Sequence, residues 1–188
     1  MQEMSSVKRA IVTAVCVALC VVLPMAFHAI PNAGNIYSPM HIPVYICGLV
    51  CGWPFGLACG VLGPVLSWLL TGMPMVTNLP QMMVELVAYG VLSGLLMKVV
   101  RTGHLYADLY ISLIVAMVVG RALAAVTAAF IFMSGQMSFA LFATTYFVTA
   151  LPGIIIQLAL VPSIVVALEK ANLIPARYVL DDAEIDEF

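Results

Sequence analysis

Apolar residues run along this chain in blocks far longer than a soluble core element needs, broken by Gly, Pro and a few polar residues. Crossing a bilayer takes about 20 helical residues, because the hydrocarbon layer is roughly 30 Å thick and a helix rises 1.5 Å per residue. By that measure a first helix is expected from about Val7 to Phe27, stopping near HAIPNAGN. A second, short one runs from about His41 to Val50, before a Gly52-Trp53-Pro54 breaker whose Trp53 suits an interface. A third runs from Phe55 to Leu70 and ends at TGMP, and a fourth from Leu79 to Val99. The fifth, Tyr106 to Phe132, is long enough to tilt. The sixth occupies Ala143 to Leu168, with kinks expected at Pro152 and Pro162.

The second segment is the irregular one. The run GNIYSPMHIPVYICGLVCGWPFGLACGVLG, residues 34–63, sets Asn, Tyr, Ser and His beside apolar stretches and repeated Gly and Pro. Residues 41–50 are too few for a full crossing, and shortened backbone at membrane depth is tolerated only where protein or a wet cavity surrounds it. This points to a cavity wall. Gly48, Gly52, Gly56 and Gly60 are expected to serve close packing and turning.

Composition agrees with the pattern. The 188 residues are 64% hydrophobic and 9% charged, against roughly 25% charged in an ordinary globular chain. The expected fold class is an all-α membrane protein, a compact six-helix transmembrane bundle forming one domain over residues 1–188. The first apolar stretch, Ala10 to Phe27, exceeds the about 7–15 residues of a secretory signal, so it reads as a retained helix. No basic stripe points to nucleic acid.

Charge sets the orientation. Lys8 and Arg9 precede the first helix, Lys98 and Arg101 follow the fourth, and Lys170 and Arg177 follow the sixth. Six crossings put all three pairs on one side, which the positive-inside rule makes the cytoplasm, with both termini there. The segments 28–40, 71–78 and 133–142 are then exterior, and they hold no Lys, Arg, Asp or Glu. The acidic end LDDAEIDEF reads as a short solvated tail.

Within the predicted spans, Glu85 and Arg121 stand out. An ionisable group in lipid is unfavourable by several kcal/mol, so such residues face a bundle interior or a cavity. Glu85 and Arg121 could pair across helices, face a polar ligand, or do both. Gln81, Glu85 and Tyr89 follow one another at four-residue spacing and so share one helix face, with Asn78 just before them. His41 and Tyr45 on the second helix and Gln157 on the sixth are weaker members of the same set. Polar residues of this kind either glue helices together or line a site.

Ala10, Ala14 and Ala18 form a smooth stripe on the first helix. It permits close helix approach, either to a neighbour in this chain or to a partner membrane protein. Cys16, Cys20, Cys47, Cys51 and Cys59 all lie in apolar sequence and read as small packing residues. There is no phosphate-cradling glycine loop, no HExxH and no obvious inverted repeat. Neither ATP hydrolysis nor metal-dependent hydrolysis is encoded in these motifs, and no metal site is expected.

Residues 35–100 resemble the substrate-binding S-components of energy-coupling factor vitamin transporters. The likeness is carried by MHIPV, Gly63-Pro64-x-x-Ser67, TGMP at Thr71–Pro74 and ELVAYG at Glu85–Gly90. The branch looks like the one holding pantothenate- and cobalamin-type S-components. The resemblance implies a six-helix bundle in the bacterial cytoplasmic membrane that captures a vitamin from outside. It implies a transmembrane coupling subunit and two cytosolic ATPases as partners, with ATP and magnesium used only there and no cofactor in this chain. It places Ala10, Ala14 and Ala18 against the coupling subunit and makes residues 28–40 a lid. The expected ligand contacts are Asn78, Gln81, Glu85 and Tyr89 as hydrogen-bonding groups, and Trp68 or Tyr37 as apolar ones. Arg121, His41, Tyr45 and Gln157 complete the candidate set. Pantothenate is the first substrate expected, with cobalamin and pyridoxine-type vitamins as alternatives. A self-sufficient proton-coupled carrier using Glu85, and a structural assembly subunit, are the rival readings.

Overall fold

The computed structural model describes residues 4–26, 33–131, 144 and 148–178. The described residues form helices α1 (Ser6–Ala26), α2 (Ala33–Tyr37), α3 (His41–Cys51), α4 (Trp53–Thr71), α5 (Leu79–Val99), α6 (Leu105–Ile131) and α7 (Leu151–Lys170). Five of them, α1, α4, α5, α6 and α7, are long and apolar enough to cross a membrane. A helix satisfies every interior backbone group within its own segment, which is what hydrocarbon demands of a spanning chain.

The short α3 occupies the centre. Its 11 residues would rise about 16 Å, half a bilayer's thickness. Ten of them are buried, so this helix touches protein on every side rather than lipid. It packs on α1, α4, α5, α6 and α7.

The register of α3 follows from its contacts. At its start the Met40 carbonyl receives the Cys20 thiol of α1, and at its end Cys51 donates to the Arg9 carbonyl, at 3.6 and 3.7 Å. Thus α3 lies antiparallel to the Arg9–Cys20 stretch of α1, and the last turns of α1 continue past it. The chain then reverses at Gly52, whose φ of 90° favours glycine, and Pro54 follows in the first turn of α4. The break is narrower than the Gly52-Trp53-Pro54 expectation, because Trp53 is already helical.

Gly56 of α4 and Gly90 of α5 bring the two backbones into direct contact; a Cβ on either would overlap the other's carbonyl. The close-packing role expected for the glycine series holds there. The buried face of α1 is Thr13, Cys16, Val17 and Cys20. Ala10, Ala14 and Ala18 are exposed on the other side, so they do not seat α1 within the chain. All five cysteines are buried and free. Their thiols act as packing groups and weak donors, as Cys47 does toward the Phe55 carbonyl at 3.4 Å.

The last helix differs from expectation at its start. It begins at Leu151 after a turn at Thr149–Ala150, whereas Ala143 and segment 133–142 lie outside the described residues. Pro152 therefore falls in the first turn, where its missing N–H has no intrahelical partner to lose, and it does not kink the helix. Pro162 is interior, as expected. Residues 28–32 of the expected lid also lie outside the described residues.

Candidate functional site

Glu85 lies on the second turn of α5, and Tyr89 follows one turn later on the same face. The Tyr89 hydroxyl donates to Glu85 Oε1 at 2.5 Å. The same oxygen faces His41 Nε2 at 3.5 Å, from the first residue of α3. His41 Nδ1 stands 3.1 Å from the Ser38 carbonyl. Both ring nitrogens thus face oxygen atoms.

Aromatic rings close the other side. Tyr89 stacks at a tilt against His41 and Tyr45, with centroids 5.3 and 4.7 Å apart. Tyr45 is one turn beyond His41 on α3, so one helix face supplies both rings. Gly120 of α6 lies against the Tyr89 ring, and a Cβ there would overlap it. Arg121, the next residue, is 2% exposed, and its positive charge acts on Glu85, Tyr45 and Tyr89.

Gln157 reaches the group from α7. Its side-chain amide donates to the Ser38 carbonyl at 3.4 Å, the same oxygen that His41 faces. A chain of contacts therefore runs from Gln157 through Ser38, His41 and Glu85 to Tyr89, with Arg121 alongside. Every side chain named in it is buried.

The expected site residues thus divide. His41, Tyr45, Glu85, Tyr89, Arg121 and Gln157 come together, and the three weaker members of the set prove to be central. Gln81 is half-buried one turn before Glu85, and Tyr37 is half-buried at the end of α2. Asn78 is exposed and makes no capping bond to α5, and Trp68 is half-buried near the end of α4. Neither contributes to the contacts above. Ser38 was read only as part of the irregular 34–63 run and the 28–40 lid, not as a site residue. Its signal was indirect, a polar residue before a proline in the irregular 34–63 run.

A second polar constellation sits at the opposite ends of the helices. Asp108, in the first turn of α6, is fully buried. One carboxylate oxygen accepts from the Thr102 backbone N–H and hydroxyl, both at 2.8 Å. The other accepts from Arg177 Nε at 2.6 Å and from the Tyr178 hydroxyl at 2.5 Å. Arg177 also donates to the Val100 carbonyl at the end of α5 and, through its backbone N–H, to Glu169 of α7. Between them Asn172 adopts a left-handed φ of 55°, and Ile174 inserts into the core. Asp108 falls inside the predicted fifth helix, and the sequence reading did not single it out.

An apolar groove of about 430 Å³ lies elsewhere, between α5 and α6, lined by Met83, Val84, Val87, Val91, Leu92 and Leu123. Val84 and Leu123 are exposed on the bundle's outer surface, so the groove is separate from the polar cluster.

The model of the family described as ECF transporter, substrate-specific component, matches residues 8–165. No curated protein and no solved structure matches this chain.

Proposed function

Since this chain belongs to the ECF transporter substrate-specific component family, we propose that it captures a small water-soluble vitamin, pantothenate first, at the His41–Tyr45–Glu85–Tyr89–Arg121–Gln157 cluster. Members of the family are multi-pass membrane subunits that bind a micronutrient for uptake through an energy-coupling factor complex, and they are not enzymes.

The observation that carries the assignment of the site is the burial of Glu85 and Arg121 among membrane-spanning helices, beside a histidine and two tyrosines. Burying ions in a membrane is unfavourable, so ionisable groups there face the bundle interior or a cavity, where they meet one another or a ligand. Grouped hydrogen-bonding side chains also supply selectivity, because a wrong ligand leaves buried groups unmade.

Depth supports the same reading. Because α3 starts level with Cys20, the outer turns of α1 extend past it, and the Ser38 carbonyl lies against His41. We place this end outside, with α3 as the short second crossing of six and both termini in the bacterial cytoplasm. Lys98 and Lys170, at the ends of α5 and α7, follow the positive-inside rule in that orientation. Cobalamin and pyridoxine-type vitamins are the alternative ligands.

The exposed stripe Ala10, Ala14 and Ala18 would dock on a transmembrane coupling subunit, since small residues let two helices approach closely. Two cytosolic ATPases would supply the driving force through ATP and magnesium, with no cofactor in this chain.

Native mass spectrometry of the purified chain with a vitamin panel tests the assignment. A one-to-one adduct that Glu85→Ala abolishes is expected. No adduct from a folded, monodisperse sample overturns capture and favours an assembly subunit.

A further inference from the structure

The Ser38 carbonyl carries more donors than one oxygen accommodates. It receives the His41 backbone N–H at 3.1 Å and faces His41 Nδ1 at 3.1 Å and Gln157 Nε2 at 3.4 Å. A carbonyl oxygen has two lone pairs, so three donors compete for it. The Gln157 bond is the longest of the three.

The backbone at Ser38 is itself unusual. Its φ of 46° lies in the left-handed region, where a side chain is strained. Gly153, one turn before Gln157, lies against the carbonyls of Ile36 and Tyr37. Segment 36–38 is therefore clasped to α7 at two successive turns, with its peptide pushed against Gln157.

Gln157 is left half-used by this arrangement. It is fully buried, and its Oε1 has no hydrogen-bond partner among the described residues. The neighbouring Ser38 N–H cannot serve it, because that group donates to the Gly34 carbonyl at 3.1 Å. A buried acceptor without a donor is destabilising, so this oxygen calls for a group that none of the described residues provides.

We propose that Gln157 reads a carboxamide, lactam or ureide group of the substrate, and that the Ser38 peptide holds part of that group's place in the closed chain. The inference rests on the reading of this cluster as the substrate site. A ligand carbonyl takes the Gln157 and His41 Nδ1 donors that now crowd Ser38. A ligand N–H fills Gln157 Oε1. Both halves of the side-chain amide are then paired, and segment 36–38 is freed to leave its left-handed turn. Only a group with an adjacent acceptor and donor achieves this; a lone hydroxyl or a quaternary ammonium does not.

Binding of two sets of probes to the full-length purified chain tests this. Pantothenate, biotin and nicotinamide carry an amide or ureide, whereas choline and pyridoxine carry no such adjacent carbonyl and N–H. Binding is expected from the first set alone, with Gln157→Leu weakening it roughly 10- to 100-fold, the range for one or two buried hydrogen bonds. Gln157→Glu keeps the side-chain volume but loses the N–H donors, and it gives a comparable loss should the leucine variant fail to fold. Binding of choline or pyridoxine, or an amide probe held equally well by both variants, overturns the proposal while leaving substrate capture standing. No binding of any probe by folded wild-type chain overturns capture itself, and this inference with it.

Discussion

Glu85 and Tyr89 are joined across one turn of α5 by a hydroxyl–carboxylate hydrogen bond of 2.5 Å, and His41 of α3 faces the same oxygen. The carboxylate thus holds two helices in register as well as presenting a charge inside the bundle. Tyr89→Phe removes one donor and leaves the ring stack with Tyr45 and His41 in place. A hydrogen bond to a charged group contributes about 1.5–3 kcal/mol, so Tyr89→Phe should lower Tm measurably without loss of fold. An unchanged Tm in a detergent-solubilised thermal melt would show that the bond contributes nothing.

Removing the carboxylate is more severe. Glu85→Ala removes the acceptor of the Tyr89 hydroxyl and the oxygen that His41 Nε2 faces, and a buried hydrogen bond to a charged group contributes about 1.5–3 kcal/mol apiece. Glu85→Gln keeps the volume and one acceptor oxygen, so it should lose less stability while still losing ligand affinity. Equal stability for both variants in a melt would argue that charge is unimportant at this position.

The exposed alanine stripe gives a prediction on a different axis. Ala14 is exposed on α1, so Ala14→Trp should leave Tm and ligand binding unchanged. It should abolish copurification with the coupling subunit, because a large side chain prevents close helix approach. Normal copurification of the variant would remove α1 from the docking surface.

At the helix crossing, Gly56 and Gly90 leave no room for a side chain. Gly90→Ala forces α4 and α5 apart, and overpacking of this kind costs about 1–3 kcal/mol. A lower Tm is expected, whereas substitution at Gly34, where the space is open, should have little effect through packing. The two variants measured side by side in the same detergent separate crowding from a general loss of glycine.

Asp108 predicts a change confined to one end of the molecule. Its four donors tie the α5–α6 turn to the segment after α7. Asp108→Asn removes the negative charge that holds Arg177 and Tyr178, so the chain after Lys170 should become sensitive to added protease while the polar cluster around Glu85 keeps its ligand affinity. Cleavage sites mapped by mass spectrometry check this, and an unaltered pattern would mean that Ile174 alone holds the segment down.

The sequence by itself determined the long helices, though not the short α2 within the expected lid. Long apolar runs, ended by Gly and Pro, can satisfy their backbone in hydrocarbon only as helices, so bounds such as Leu79–Val99 followed from composition and spacing. It also determined that Gln81, Glu85 and Tyr89 share a face, since four-residue spacing is a property of one helix. Which of them meet other helices was a different matter. His41 looked like a lone histidine near an interface, and only the central placement of α3 brings it to Glu85. Gln157 lies 119 residues from Ser38, and no local pattern connects a glutamine on the last helix with that carbonyl. Asp108 and Arg177 were likewise unremarkable apart, one an acid in a first helical turn and the other a basic residue near the end of the chain. The tertiary structure decided these pairings because a buried polar group finds its partner through packing geometry, whereas periodicity records only which face it leaves from.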